Sequence, residues 1–409
     1  MNQVTHQQKN TPKLRFPEFR GEWALSKLKE ITKINQGLQI AISDRYEQKV
    51  PNSHFYITNE FIKSGAKKKY YIVNPPSSVL ATPEDLLMTR TGNTGILVTG
   101  VSGAFHNNFF KISRDETKVA KKFLFYFLNL KSIQNLILRL AGTSTIPDLN
   151  HEDFYRIPIS LPSLNEQKKI ADFLTTVDEK ISKLQKKIEL LKKYKKGVMQ
   201  KIFSQKIRFK DENGKDYPDW EDKNLGDLLV FARNGLSIDQ KTDKKDGLKV
   251  TRIETISDNK IDTEKVGYIN PLKNIEEYKL LKGDMLFSNI NSPSQIGRIV
   301  YVDRDYELYH GMNLLCLRVN QVNDNSFIYY TLSSIKYKQY FESICNKAVN
   351  QASINQTDLK KTKMKIPIKK EQQKIAEFLS SIDEKVNIDE RKLEQAKRFK
   401  KSLLQQMFI

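Results

Sequence analysis

The stretch Glu166–Ile181, EQKKIADFLTTVDEKI, returns 205 residues later as Glu371–Val386, EQQKIAEFLSSIDEKV. A repeat of this quality constrains architecture before any short motif is weighed, because near-equal sequence demands near-equal local structure twice. The match extends outwards. Ile157-Pro158-Ile159 answers Ile366-Pro367-Ile368 upstream, and Gln200 and Phe203 answer Gln405 and Phe408 downstream. The tract joining Ile-Pro-Ile to the second copy is four residues shorter than the first. What precedes each copy diverges, so the chain reads as variable region, helix, variable region, helix.

The variable regions open alike. Leu14-Arg15-Phe16 leads to Trp23 and Ile207-Arg208-Phe209 leads to Trp220, each tryptophan reading as a core anchor at a domain edge. Beyond them, short β-rich runs alternate with turns: Lys69–Val73, Leu86–Thr89 and Gly95–Thr99, then Tyr268–Asn270, Met285–Ser288 and Ile296–Val302. One aromatic-rich helix is predicted in each region, Val119–Leu130 and Phe327–Ser334, to pack on sheet. Asp85 stands opposite Asp284, and His106-Asn107-Asn108 opposite His310–Asn313; shared position favours a scaffold role for the histidines. The fold class predicted is α+β, with two duplicated domains separated and followed by long helices. Boundaries read as a disordered tail over 1–13, a domain over 14–160, a helix over 161–206, a domain over 207–365 and a helix over 366–409. A shared scaffold with divergent loops suits one recognition task performed on two targets.

The helices carry a heptad seam. Apolar residues fall at Ile170, Leu174, Val177, Ile181, Leu184, Ile188 and Leu191, then at Val198 and Ile202, with Lys195 in the gap beside Tyr194. The second copy gives Ile375, Leu379, Ile382, Val386, Leu393, Ala396, Leu403 and Met407, with Asp389 and Lys400 in the gaps. Spacing of alternating four and three residues is that of a coiled coil. A lone helix would expose the whole stripe to water, so the two copies are expected to pair within the chain. Antiparallel pairing, related by a pseudo-twofold axis, would carry one domain to each end of a rod on the order of 50 Å long. Residues 166–210 hold 14 Lys plus Arg against 5 Asp plus Glu. Lys192 and Lys193 lie in the densest basic cluster, suited either to a phosphate backbone or to the wet side of a helix.

Over all 409 residues, 69 Lys plus Arg face 48 Asp plus Glu, a net charge of +21 that points to a polyanionic partner. The only two cysteines, Cys316 and Cys345, sit in apolar surroundings without ligand spacing and read as buried thiols. No apolar run approaches a membrane span, and the N-terminus lacks an apolar targeting segment; an intracellular protein is expected. Chemistry of its own is not expected. Asn74-Pro75-Pro76-Ser77 resembles the tetrapeptide of amino-directed DNA methyltransferases but lacks the aromatic residue that stacks on a flipped base. Thr91-Gly92-Asn93-Thr94-Gly95 lacks the Gly-Lys-Ser/Thr of a nucleotide loop, and five histidines show no metal spacing. The chain reads as a binder, with no catalytic, cofactor or metal site.

Taken together, the Trp-bearing openings, the Asp85/Asp284 turns, the Ile-Pro-Ile segments, the EQxKIAxFL helix starts and the Gln200–Phe203 and Gln405–Phe408 helix ends resemble the specificity subunit of Type I restriction–modification systems. The resemblance covers nearly the whole chain. It implies that each domain is a target recognition domain reading one half of a split sequence in double-stranded DNA, with the helices setting the unread spacer. It further implies two modification subunits that methylate adenine with S-adenosylmethionine, and two restriction subunits that use ATP and Mg²⁺ to cleave. This chain would direct those reactions in the cytoplasm without performing them.

Base edges are read by Arg, Lys, Asn, Gln and hydroxyl side chains on loops or helix ends. In the first domain the candidates are Arg90 and Asn93 around Gly92, with Lys67, Lys68, Lys69 and Arg45; in the second they are Asn289, Asn291, Ser294, Gln295 and Arg298, with Arg252. Solvated turns would use many of the same residues. Phe173 and Phe378 lie beside the seam, where a two-helix pair need not bury them, and are expected to face a partner subunit. A different class of protein stays open at this point: a structural or tethering coiled coil whose two domains bind protein targets.

Overall fold

The computed structural model describes residues 10–62, 68–143, 145–237, 247–257, 259–312, 314–347 and 351–409, in two compact units. The first takes the chain to Leu184 together with Lys392–Ile409, and the second takes Gln185–Arg391. Asn10, inside the expected tail, is part of the first unit, its carbonyl accepting from the Trp23 amide at 2.8 Å.

Each unit is closed by pairing its opening strand with its exit strand. Ala24–Lys27 runs antiparallel to Pro158–Leu161, and Glu221–Asn224 to Lys363–Ile366. That pairing brings Trp23 and Trp220 under the sheet, where they are 3% and 7% exposed. Within the closure lies a four-stranded antiparallel sheet. Its strand order is Thr32–Gln36, Phe109–Arg114, Leu86–Thr89, Leu97–Val98 in the first unit. In the second it is Leu229–Asn234, Leu315–Val319, Met285–Phe287, Ile299–Tyr301. Leu86–Thr89 and Met285–Phe287, each central in its sheet, are buried along their whole length, so they read as continuous apolar runs rather than alternating ones. Alternation survives in where the side chains go. Leu86 and Met88 enter the core shared with the helices, while Leu87 enters the opposite core with Tyr56 and Phe105. Met285 and Phe287 divide from Leu286 in the same way. The opposite face is covered differently in the two units. A mixed sheet of Tyr70–Val73, Ser53–Ile57, Gly103–Phe105 and Leu80–Ala81 covers it in the first; the pair Leu248–Thr251 and Val266–Ile269 does so in the second.

In place of each expected aromatic-rich helix there is a pair of consecutive helices. Lys121–Leu128 is followed by Lys131–Leu140, and Asn325–Leu332 by Ile335–Ile344. Leu130 and Ser334 break the pairs by taking extended backbone, with ψ of 137° and 157°. The second helices bury only a few residues, such as Ile133 and Ile137 or Tyr337 and Phe341, which is why their short stripes do not stand out in sequence.

The long helices are Leu164–Phe203 and Lys369–Gln406. Within each unit their halves run antiparallel: Asp178 meets Lys400 at 2.6 Å in the first, and Lys195 meets Asp383 at 2.6 Å in the second. Every seam position from Ile170 to Ile202 and from Ile375 to Met407 is buried or half-buried, the gap residues included. The gaps are filled by charge. Lys195 lies 4.7 Å from the Tyr330 ring and Lys400 lies 5.6 Å from the Tyr126 ring, two matched junctions of lysine, aspartate and tyrosine. Tyr126 donates to Asp178 at 2.9 Å and Tyr330 to Asp383 at 2.8 Å. Burial, reinforced by the carboxylate, pushes the Tyr126 phenol up to about 12, so it remains a donor. A polar residue in an apolar seam costs stability but fixes register. Asp389, 3% exposed, pairs with Lys187 at 2.9 Å and has no counterpart in the other half.

The repeated Glu-Gln at each helix start is explained by its contacts. Glu166 accepts from Arg15 at 2.7 and 2.8 Å, and Glu371 from Arg208 at 2.8 and 3.3 Å. Gln167 and Gln372 accept from the amides of Ala120 and Asp324 at 2.9 and 2.8 Å, the residues that begin the short helices. Each long helix is thereby fastened to the opening triplet and to the helical layer of its own unit.

Candidate nucleic-acid interface

In the first unit the strand Leu86–Thr89 ends in a loop closed by Gly95, whose amide donates to the Thr89 carbonyl at 2.8 Å. Gly95 has φ of +92°, which favours glycine, and a Cβ there would come 2.7 Å from Gln134 Oε1 and 3.2 Å from Ile137, both on the second short helix. The loop is braced from below. Gly92 N and Thr94 Oγ1 donate to the Pro147 carbonyl at 3.0 and 2.9 Å, and Thr91 Oγ1 reaches Asp148 at 2.5 Å. Arg90 is drawn into this bracing: it pairs with Asp148 at 2.6 Å, stacks 5.4 Å above Phe110 and leaves 14% of its side chain exposed. Asn93 is exposed at the tip. Lys68, paired with Glu47 at 3.0 Å, and Lys69 are also exposed; Lys67 lies outside the described residues. Arg45 is half-buried, donating to the Ile40 carbonyl at 2.7 and 3.1 Å beside the Tyr56 ring.

The second unit repeats the plan with different residues. Gly297 N donates to Ser288 O at 2.9 Å; its φ is +72°, and a Cβ added there would lie 2.7 Å from the Phe341 Cβ. Asn289 is buried, its carbonyl accepting from the Ile354 amide at 2.8 Å. Asn291 bonds Ser288 Oγ at 2.9 Å. Arg298 fastens the loop to the 253–256 turn through the carbonyls of Ile256, at 3.1 Å, and Ser257, and it also donates to Gln295. Ser294 is exposed and Gln295 half-buried. Arg252 is half-buried, its amide donating to Thr255 Oγ1 at 2.8 Å. Of the candidates, Lys192, Ser294, Gln295 and Arg298 converge on one cleft of about 710 Å³. Asn313 lies outside the described residues. His310 is buried, contacts the Leu314 carbonyl at 2.9 Å, and is pulled down to about 4 by burial; it is a neutral scaffold group.

On the long helices Lys193 is exposed and Lys192 pairs with Glu390 at 2.7 Å. Phe173 and Phe378 are half-buried, each meeting an aromatic of its own opening triplet edge-on: Phe16 at 5.8 Å and Phe209 at 5.6 Å. More open aromatics lie further along. Tyr194 and Phe399 occupy equivalent places in the repeat and are 54% and 53% exposed. The same 205-residue offset would have found this pair in sequence, and would likewise have matched Lys195 with Lys400. Sequence reasoning also missed the bracing segment around Pro147 and Asp148.

The arrangement offers outward amides, hydroxyls and cations on rigid loops, which suits hydrogen-bonded recognition of a polar surface. Among the described residues no cluster of His, Cys, Asp or Glu could hold a metal ion, and no helix is long and apolar enough to cross a membrane. The chain is similar to known proteins over most of its length. A protein of Methanocaldococcus jannaschii assigned as the MjaX type I restriction enzyme specificity subunit is 42% identical over 203 residues, 49% of this chain and 48% of that one. The chain thus spans about half of that relative. The MjaVIII specificity subunit of the same organism is 27% identical over 406 residues, covering 96% of this chain and 92% of that protein. The fold matches the crystal structure of the Type I restriction–modification S subunit from M. genitalium with a TM-score of 0.63 and 17% identity, over 98% and 99% of the two chains. Residues 20–193 and 217–398 each match the Type I restriction modification DNA specificity domain. With two such domains filling most of its length, the chain belongs to the Type I restriction–modification DNA specificity family.

Proposed function

We propose that this chain binds double-stranded DNA at a bipartite target, one half-site per domain, and directs partner subunits to it. The observation that carries this reading is the duplicated loop, closed by Gly95 and by Gly297 on the same scaffold yet carrying different outward residues. Readers of two different half-sites need that combination. The outward groups Asn93, Lys68 and Lys69 in one domain, and Ser294 and Gln295 in the other, are the proposed base-reading side chains; Arg90, Arg298, Asn289 and Asn291 hold the loops in shape. Lys192 and Lys193 would add sequence-independent attraction to phosphates. The partners proposed are two modification subunits, methylating adenine with S-adenosylmethionine, and two restriction subunits that use ATP and Mg²⁺, all in the cytoplasm. Selection from a randomised duplex pool by the complex with modification subunits tests the reading. A split motif with a fixed unread gap is expected, and Asn93→Ala should relax only one of its halves. Enrichment of no split motif would favour a protein tether instead.

The modification subunits are proposed to dock on the outer faces of the long helices, along Phe173 and Phe378 and onto Tyr194 and Phe399. Equivalent surfaces in the two halves suit two copies of one partner. Tyr194→Asp with Phe399→Asp should abolish co-purification with the modification subunit while leaving the chain folded, since both side chains are more than half exposed. Retained co-purification would remove these residues from the interface.

A further inference from the structure

The cleft on which Lys192, Ser294, Gln295 and Arg298 converge is lined by six cationic side chains, with Lys195, Lys196, Lys336 and Lys338 among the lining residues. No Asp or Glu lines it among the described residues. Lys192 and Lys195 are already matched to Glu390 and Asp383. Lys196 and Lys336 have no carboxylate partner among the described residues, and Lys338 has Glu342 only at 4.0 Å. Into the same cleft opens the start of the ten-residue helix Ile335–Ile344. The first amides of a helix have no acceptor within it and carry the positive end of its dipole. In this helix the N-cap position gives no side-chain help. Ser334 makes no capping hydrogen bond, and although only 7% exposed, its hydroxyl has no hydrogen-bond partner among the described residues. A buried orphan hydroxyl, open helix amides and unpaired lysines around a carboxylate-free cleft are the parts of an anion site.

We infer that this cleft seats a backbone phosphate of the bound duplex at the start of the helix Ile335–Ile344, beside the second half-site. The inference rests on the target-recognition reading and adds a residue set to it. A phosphodiester is favoured over an acidic segment of a partner protein because the cleft is shared with the loop proposed to read bases. Its apolar wall, including Ile296 and Leu332, belongs to the domain core rather than to a free apolar surface. The site is peculiar to the second domain. Aligning Tyr126 with Tyr330 sets Leu130 opposite Ser334, and Leu130 is buried in the first core with no hydroxyl to offer.

The test uses the complex of the full chain with its modification subunits, on a duplex carrying the selected motif and on a random duplex. Lys196→Gln with Lys336→Gln should weaken both by a similar factor, because phosphate contacts carry no sequence information. The slope of log affinity against log salt should fall by about 1–2. Ser334→Leu, which copies the first domain, should weaken binding without changing the motif. In the unaltered complex, a neutral methylphosphonate beside the second half-site should reduce affinity, and in the lysine variant it should have little further effect. An unchanged salt slope in the lysine variant overturns the inference. So does loss of modification subunits from the variant with DNA binding otherwise intact, which would assign the cleft to a protein segment. If the unaltered complex selects no split motif, the target-recognition reading fails; if it does and only the salt slope is unmoved, the phosphate seat alone fails.

Discussion

Arg208→Met should destabilise the second unit by about 3–5 kcal/mol, the cost of leaving a buried charge without its partner. Glu371 has no exposed side-chain surface, and it accepts from Arg208 at 2.8 and 3.3 Å and from Trp220 Nε1 at 3.2 Å. Without the guanidinium, the indole would be the one donor left to the buried carboxylate among the described residues. Arg208 also donates to the carbonyls of Tyr217 and Pro218, at 3.1 and 2.7 Å, so the opening loop would be loosened with it. Its further contact to Asp219 at 3.5 Å contributes little, because that carboxylate is in solvent. Urea unfolding followed by Trp220 fluorescence in a Trp23→Phe background measures the loss. Arg208→Met combined with Glu371→Met should recover most of it, since a buried pair replaced as a unit leaves no orphan charge. A loss below about 1 kcal/mol for the single variant would place the pair with weak surface bridges.

Lys195→Glu with Lys400→Glu should separate the long helices, at a cost of about 2 kcal/mol or more for each junction. Each glutamate would face an aspartate now 2.6 Å from a lysine, Asp383 or Asp178, while also losing the tyrosine face beneath it. The two junctions have equivalent geometry, so their losses should be similar and, lying in separate units, additive. Restoring attraction by Asp383→Lys and Asp178→Lys should recover part of the stability in a double-mutant cycle. Lys195→Met with Lys400→Met is the contrasting control. It fills the seam with apolar surface and leaves both aspartates hydrogen-bonded to tyrosine, so its effect should be small. Thermal unfolding and protease sensitivity of residues 164–203 distinguish these outcomes. Equal stability of the glutamate and methionine variants would show that charge at these positions is idle.

Much of this was open to reading in the chain. The strand Leu86–Thr89 was predicted at its observed bounds, because a continuous apolar run between a turn and a glycine-rich loop has few other uses. The long helices were equally plain, for a seam sustained over several heptads outweighs any single misplaced residue. The second short helices were not visible, since each rests on a few buried residues and begins at a break, Leu130 or Ser334, that holds neither glycine nor proline. At the loops, sequence named residue types capable of reading bases but could not sort them. Arg90 and Asn93 differ little in promise on paper, yet one is paired with Asp148 and the other exposed.

The lysines in the seam mark the division most clearly. Heptad spacing determined from sequence alone that the copies are equivalent, that both are helical and that something polar interrupts each stripe at Lys195 and Lys400. Only folding decided that each interruption is a three-way contact with an aspartate of the facing helix and a tyrosine of the adjoining domain. The same holds for Ser334, unremarkable in sequence until a helix start and lysines from distant segments surround it. Periodicity and repetition are local properties, written along the chain and legible there. The meeting of Lys195 with Asp383, or the convergence of Ser334 and Lys196 on one cleft, depends on side chains far apart in sequence, whose proximity is set by how cores close and helices pair.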